Sequence, residues 1–316
     1  MENQNRTVKL RRKASDDKST VGPVGGLFSD DQDYKSNRMN TRLKNRILSL
    51  IVPILFVIFW EILATIMDNP VVLPSFTSVL AILTNPTASL LNIGSLANNL
   101  FVSFLRVIVG YSFAVILGVP LGALMGYSPL ANKMLSSFLG IFRPIPPLAW
   151  VPLVLAWFGI SSMAMFYPSD SGQIYLYLRS LRLSMIFIIF IGAFFPILTS
   201  TIYGVTNVRK ILVESTMTLG GTKKDIILKI IIPSAMPSII NGLRIGMGVA
   251  WMCLVSAEML PGSVAGVGYL ITHAYQLART DIVISGMFTI GLVGVLLDSI
   301  FRLLEEKKYQ WQKNVQ

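Results

Sequence analysis

The chain is poor in reactive groups. Its 316 residues include one cysteine and one histidine. That pair cannot build a disulfide or a structural zinc site within the chain, and it excludes a haem held by two histidines. Cys253 sits in an apolar run and reads as an inert core thiol. His273 is expected in an extracellular loop. Charge is scarce too. Asp, Glu, Lys and Arg make up 14% of the residues, about half the share of an ordinary soluble domain. This excludes a disordered chain and a coiled coil, and it argues against a soluble fold. No glycine is followed by lysine anywhere in the chain. A phosphate-binding loop needs that lysine, so the chain is not expected to hydrolyse ATP itself. The Gly-x-Ser-x-Gly and His-Glu-x-x-His patterns are also missing, and with them two common hydrolase designs. No catalytic residue, no metal ligand and no cofactor are expected.

What the chain has is apolar length. Hydrophobic residues make up 53% of it. They gather in six stretches, at 47–67, 100–126, 145–160, 183–205, 236–260 and 282–301. A helix needs ~20 apolar residues to cross a bilayer. Five stretches reach that length. The third is shorter and holds Pro146, Pro147 and Pro152 just after Pro144. It predicts a kinked span, with an interfacial helix before it over 134–142. The expected fold is all-α: a polytopic membrane protein with six transmembrane helices over 47–303.

A net charge of +11 raises the question of nucleic acid. Placement answers it. Residues 1–46 carry eleven Lys/Arg against six Asp/Glu, and residues 47–105 carry no Lys or Arg. A nucleic-acid binder would spread its basic residues over a folded face. Here they flank hydrophobic spans, as orientation signals do. Residues 1–46 read as a basic, mostly disordered cytoplasmic tail. They are not a signal peptide, because no apolar stretch lies near the start. Six spans then place both termini in the cytoplasm of a cell-membrane protein, with a second tail at 304–316. The loop 205–233, with five basic and two acidic residues, falls on the same side. The loop 68–99, without Lys or Arg, falls outside.

Small residues recur at helix spacing. Gly118, Gly122 and Gly126 lie four apart in the second span, and Gly242 and Gly246 repeat this in the fifth. Such grooves let helices pack closely. Five charges fall within the spans, where charge is costly and is paired or functional. Counted from the helix ends, Glu61 and Arg106 lie at similar depth, ~9 Å from the outer boundary; either they pair, or Arg106 snorkels to the outer interface while Glu61 faces a wet cavity. Arg244 lies near the cytoplasmic end of span five. It reads as a snorkelling residue or an attractor for a departing anion. Glu258, toward the outer end, reads as a packing or gating residue. Arg106, Arg244 and Glu258 are the candidate pathway charges. Asp298 reads as a solvated terminal charge.

The loop 205–233 carries the most specific pattern. Glu214 is followed by Ser215 and Thr216, then Gly220 and Gly221, then Ile230, Ile232 and Pro233. Taken by itself it is a helix, a glycine break and a second amphipathic helix entering span five. The glycines stop the first helix, Asp225 favours the start of the next, and Pro233 and Pro237 turn the chain into the membrane. The spacing resembles the cytoplasmic "EAA" loop of ABC importer permeases. Ser215 and Thr216 depart from it, since two alanines are usual there. The run 142–153, with Trp157–Ile160, 192–197, 257–259 and 266–270, is similar to the nitrate/sulfonate/taurine/bicarbonate branch. The resemblance covers roughly 47–307. It implies a MetI-like permease bundle without catalysis, working as a homodimer in the family's architecture. It also implies separate ATPase subunits that use the ATP and dock on the coupling loop, and an external substrate-binding protein. The implied solute is a small anion such as nitrate, a sulfonate, taurine or bicarbonate. Related permeases carry vitamin precursors, which stays open. A stand-alone secondary transporter or channel is the alternative outside this family, and a membrane enzyme is disfavoured by the scarce His, Cys and paired acids. Residues 161–182 exceed the branch pattern and are expected to form an external insertion.

Overall fold

The computed structural model describes residues 48, 51–167, 172–260 and 263–308. Of the expected tails, 1–46 and 309–316 lie outside the described residues, while 304–308 continue the last helix. The chain forms two units, residues 1–62 and 63–316. The first contains most of α1, an apolar helix over Ile51–Met67. Within it the rings of Phe56 and Trp60 meet edge to face at 6.2 Å.

The second unit is helical throughout its regular structure. In order it holds α2 (Phe76–Thr84), α3 (Leu96–Tyr127), α4 (Pro129–Phe142), α5 (Val151–Phe158), α6 (Gln173–Ser180), α7 (Leu183–Thr206), α8 (Lys210–Thr218), α9 (Ile232–Glu258), α10 (Val267–Gln276) and α11 (Thr280–Lys308). The described residues include isolated bridges but no named strand. Four helices are long and apolar enough to cross a membrane: α3, α7, α9 with its leading turns, and α11. The third stretch is not a single helix, and the helix expected at the interface over 134–142 lies in the first of two apolar pieces. Pro129–Phe142 and Pro147–Phe158 meet at 80°. The prolines explain the break. Each lacks an amide proton and restricts the residue before it, so no helix can run through 144–147.

α7 is the centre of the unit. Ile189, Ala193 and Ile197 on it are fully buried. α3 packs along one side through its glycines. A Cβ added at Gly118 would lie 3.1 Å from Ile197 Cγ2, at Gly122 2.7 Å from Thr201 Cβ, and at Gly126 2.7 Å from Val205 Cβ. Side chains spaced four apart on α7 thus fill a groove that only glycine leaves open. α9 packs along another side by the same device. Gly242 meets Ser200, Gly246 meets Ile197, and Gly192 of α7 meets Cys253. In lipid, close backbone approach supplies the attraction that the hydrophobic effect supplies in water. Two side-chain bonds tie the bundle further. The Tyr111 hydroxyl donates to Leu243 O at 2.9 Å, and Trp251 Nε1 donates to Ile290 O at 3.1 Å. The outward faces stay apolar, with Leu292 71% and Val295 67% exposed on α11. That is the surface a lipid-facing helix presents.

Residues 161–182 form an excursion whose ends are joined. Ser162 and Arg182 bridge, Met163 N donates to Leu181 O at 3.0 Å, and Leu183 N donates to Ser161 O at 3.1 Å. Part of it, 168–171, lies outside the described residues. Two expectations need correcting. His273 is on α10, stacked on Tyr269 with ring centroids 5.9 Å apart, and is not a loop residue. Pro233 and Pro237 lie within a continuous helical run and not at a break in it. Lys223–Glu258 reads as one candidate span, and Pro233 follows a π-helical stretch over Ile226–Ile231.

Candidate functional site: an exposed elbow and a buried polar knot

The elbow joins α7 to α9. α8 ends in a local motif that its sequence dictates. Gly220 has φ +80°, which disfavours any side chain. Its N–H bonds to Met217 O at 3.0 Å, and the Gly221 N–H bonds to Thr216 O at 2.9 Å. This is the paired 6→1 and 5→2 closure of a Schellman motif. A Cβ at Gly221 would meet the Thr216 carbonyl oxygen at 2.9 Å, so both glycines are required. The next helix opens one residue later on a capping box. Thr222 Oγ1 accepts from Asp225 N at 3.3 Å, and Asp225 Oδ2 accepts from Thr222 N at 3.1 Å. Lys229 adds an ion pair to Asp225 at 2.7 Å.

The far side of the elbow is anchored. Ile226 and Ile231 are buried against Val205, Ala235 and Ile239. The near side is open. Glu214, Ser215 and Gly220 are exposed, while Thr216 is half-buried and bonds back to Leu212 O at 2.8 Å. Around them stand apolar side chains: Ile211 66%, Met217 57% and Leu219 87% exposed. Ile230 and Ile232 are half-buried, and Pro233 is exposed. Glu214 sits on the second turn of α8, which begins at Lys210.

At the opposite end of the bundle a polar knot is buried. Arg106 of α3 and Glu258, the last residue of α9, form an ion pair at 2.5 Å with both side chains fully buried. The carboxylate is saturated. Ser103 Oγ lies 2.8 and 2.9 Å from its two oxygens, and Gly268 N donates to it at 2.9 Å. Arg106 also donates to Ser180 O at 3.0 Å and Ala265 O at 2.7 Å. Val267 N donates to Ser103 Oγ and Gly266 N to Asn99 Oδ1, both at 2.9 Å. Gly266, with φ +118°, and Gly268 leave the space the carboxylate fills, since a Cβ at either would strike Glu258. The knot therefore joins α3, α9, the end of α6 and the start of α10. Beside it, burial and the positive charges of Arg106 and Arg179 push the Arg182 guanidinium below its usual range.

This geometry corrects three expectations. The carboxylate that meets Arg106 is Glu258; the pairing with Glu61, argued from depth alone, gives way to it. Arg106 and Glu258, expected as pathway charges, are fully buried and spend their charge on each other. Arg244 is held by Asp298, with bonds of 2.5 and 2.9 Å, and Glu305 lies 3.6 Å away. Asp298 is thus a partner across two helices, not a free terminal charge. Ser103, Asn99, Gly266 and Gly268 were absent from the expected site. Their only signal was the Gly-x-Gly spacing at 266–268, which gave no hint of a carboxylate partner.

The chain matches the family described as "Binding-protein-dependent transport system inner membrane component" over residues 118–308. It is 47% identical over 278 residues to an ABC transporter permease protein of Methanocaldococcus jannaschii, covering 88% of this chain and 96% of that one. It is 30% identical to the taurine transport system permease protein of Escherichia coli, over 83% of this chain and 88% of that one. Among solved structures, an inward-facing MetNI methionine ABC transporter aligns with TM-score 0.50 and 17% identity, over 66% of this chain and 95% of that one. That likeness speaks for the fold. The chain belongs to the binding-protein-dependent permease family. It is a membrane permease component of an ABC importer; ATP hydrolysis resides in a separate subunit, and a substrate-binding protein delivers the solute. The family membership sets aside a stand-alone secondary transporter or channel.

Proposed function

We propose that this chain forms the translocation pathway for a small anion such as nitrate, a sulfonate, taurine or bicarbonate. Two copies make the pathway, each crossing the membrane six times over 47–303, with both termini and the elbow in the cytoplasm. Separate ATPase subunits drive it by docking on the elbow. The observation that carries this reading is the elbow itself. It is rigid by local bonding, anchored in the bundle by Ile226 and Ile231, and presents exposed Leu219, Met217 and Ile211 beside Glu214. An apolar patch on a rigid mount is what a protein partner grips, and its anchor passes a push directly to α7 and α9. The solute class rests on the branch resemblance and on the taurine function named for the Escherichia coli relative. The polar knot then acts as a packing clasp at the outer end of the bundle.

The test is a photo-crosslinker placed at Leu219 in the full complex with its ATPase and binding protein. The expected product joins this chain to the ATPase, and its yield changes with bound nucleotide. Crosslinks to lipid alone would overturn the docking role.

A further inference from the structure

The 80° break places an arginine where arginines are rarely left. Arg143 caps α4, its N–H bonding to Leu139 O at 3.1 Å. It lines a cavity of about 250 Å³ together with Ile145, Gly192, Phe195, Pro196 and Thr199. The last four belong to the central turns of α7, a 24-residue helix. At 1.5 Å per residue they lie ~13–24 Å along its ~36 Å length, so the cavity sits near the membrane midplane. This holds whichever end of α7 faces outward.

Both span arginines are neutralised: Arg106 by Glu258, Arg244 by Asp298. Arg143 is exposed, and among the described residues no carboxylate lies within ion-pairing distance of it. A side chain at this depth cannot reach either interface across half of a ~30 Å hydrocarbon layer. An uncompensated guanidinium facing lipid there is costly, and intramembrane charges face a bundle interior or a water-filled cavity. The cavity wall is suited to water. Pro196 cannot donate to the Gly192 carbonyl four residues back, and Thr199 contributes a hydroxyl. Its volume is below the ~300–1,000 Å³ of pockets for drug-sized ligands, a scale that fits a solute of a few heavy atoms.

We infer that Arg143 is the oxyanion-recognising residue of the solute pathway, binding nitrate-, sulfonate- or bicarbonate-type groups at the break beside the centre of α7. The chemistry suits it. A guanidinium presents forked donors that match two oxygens of a planar or tripodal oxyanion, which an ammonium cannot do as well. The ligand class rests on the solute reading proposed above; the position of Arg143 on the pathway does not.

The experiment uses the full complex in nanodiscs and proteoliposomes, on a Cys253→Ala background. Arg143→Cys is probed with the anionic thiol reagent 2-sulfonatoethyl methanethiosulfonate. Arg143→Gln and Arg143→Lys are assayed for uptake of nitrate, taurine and ethanesulfonate, with assembly and ATP hydrolysis as controls for folding. The expected result is labelling of the Arg143→Cys thiol that nitrate or ethanesulfonate slows. Uptake by Arg143→Gln should fall ~10–100-fold, the scale of one lost charge-assisted contact, with Arg143→Lys in between. An unreactive thiol with and without nucleotide, or wild-type uptake by Arg143→Gln, would overturn the inference while leaving the solute reading intact. A wild-type complex that moves none of the three probes would overturn the solute reading, and with it the oxyanion role of Arg143. Labelling in that case would still place the residue on the pathway.

Discussion

The two ends of the bundle are built on opposite plans. The elbow is held by bonds between residues no more than five apart, and it is exposed and apolar at its tip. Most of the knot's bonds span more than 150 residues, and it is buried and charged at its heart. A locally closed motif keeps its shape when the rest of the molecule moves. A long-range knot holds only while four segments stay in register. The first suits a part that is pushed, the second a part that clasps.

Breaking this contrast should have graded effects. The largest is at the knot. Glu258→Ala leaves Arg106 buried without its carboxylate, a loss of ~3–5 kcal/mol where one member of a buried pair is removed. Thermal unfolding in detergent should show it. Much of the loss should be absent when Arg106→Met is added, so equal and additive losses would mean the two do not act as a pair. Next comes the helix seam. Gly122→Val places a Cβ against Thr201 and the Leu198 carbonyl, an overpacking cost of ~1–3 kcal/mol. The same unfolding assay reads it, and an unchanged midpoint would contradict the close α3–α7 approach. The elbow is more tolerant in stability. Thr222→Ala removes one side of the capping box and should cost ~0.5–2 kcal/mol in local stability. Hydrogen exchange should rise at 222–229 and remain unchanged at the knot. A global change in exchange would show that the elbow is not the independent local unit described here.

The same contrast governs what was legible in the sequence. Helix stops, caps and apolar runs are short-range signals, so the Gly220–Gly221 stop, the Asp225 start and the span over 183–205 could be read directly. The proline run foretold a kink near 144–152, but no residue pattern states an angle of 80° between 129–142 and 147–158. Glu258 illustrates the other limit. Counting along a helix gives the depth of a charge but not the direction it faces around the bundle. Glu61 and Arg106 matched in depth, yet Arg106 faces α9, 152 residues away in the chain. Asp298 looked terminal for the same reason, because its partner Arg244 is 54 residues distant. The glycines of 266–268 were visible as a motif, but their purpose is the carboxylate they enclose. Arg143 was visible as a letter in a proline-rich run. Only the break and the neighbouring turns of α7 gave it a position.

The central claim is that the elbow couples a separate ATPase to the bundle. It is tested most directly by the number of ATP molecules hydrolysed per solute moved in the reconstituted complex, for wild type and Gly220→Pro. Proline requires φ near −65°, whereas Gly220 sits at +80°, so this change dismantles the stop while leaving the spans alone. The account predicts normal membrane insertion and continued ATP hydrolysis, with solute uptake lost and the ratio sharply raised. A wild-type ratio in that variant would contradict it.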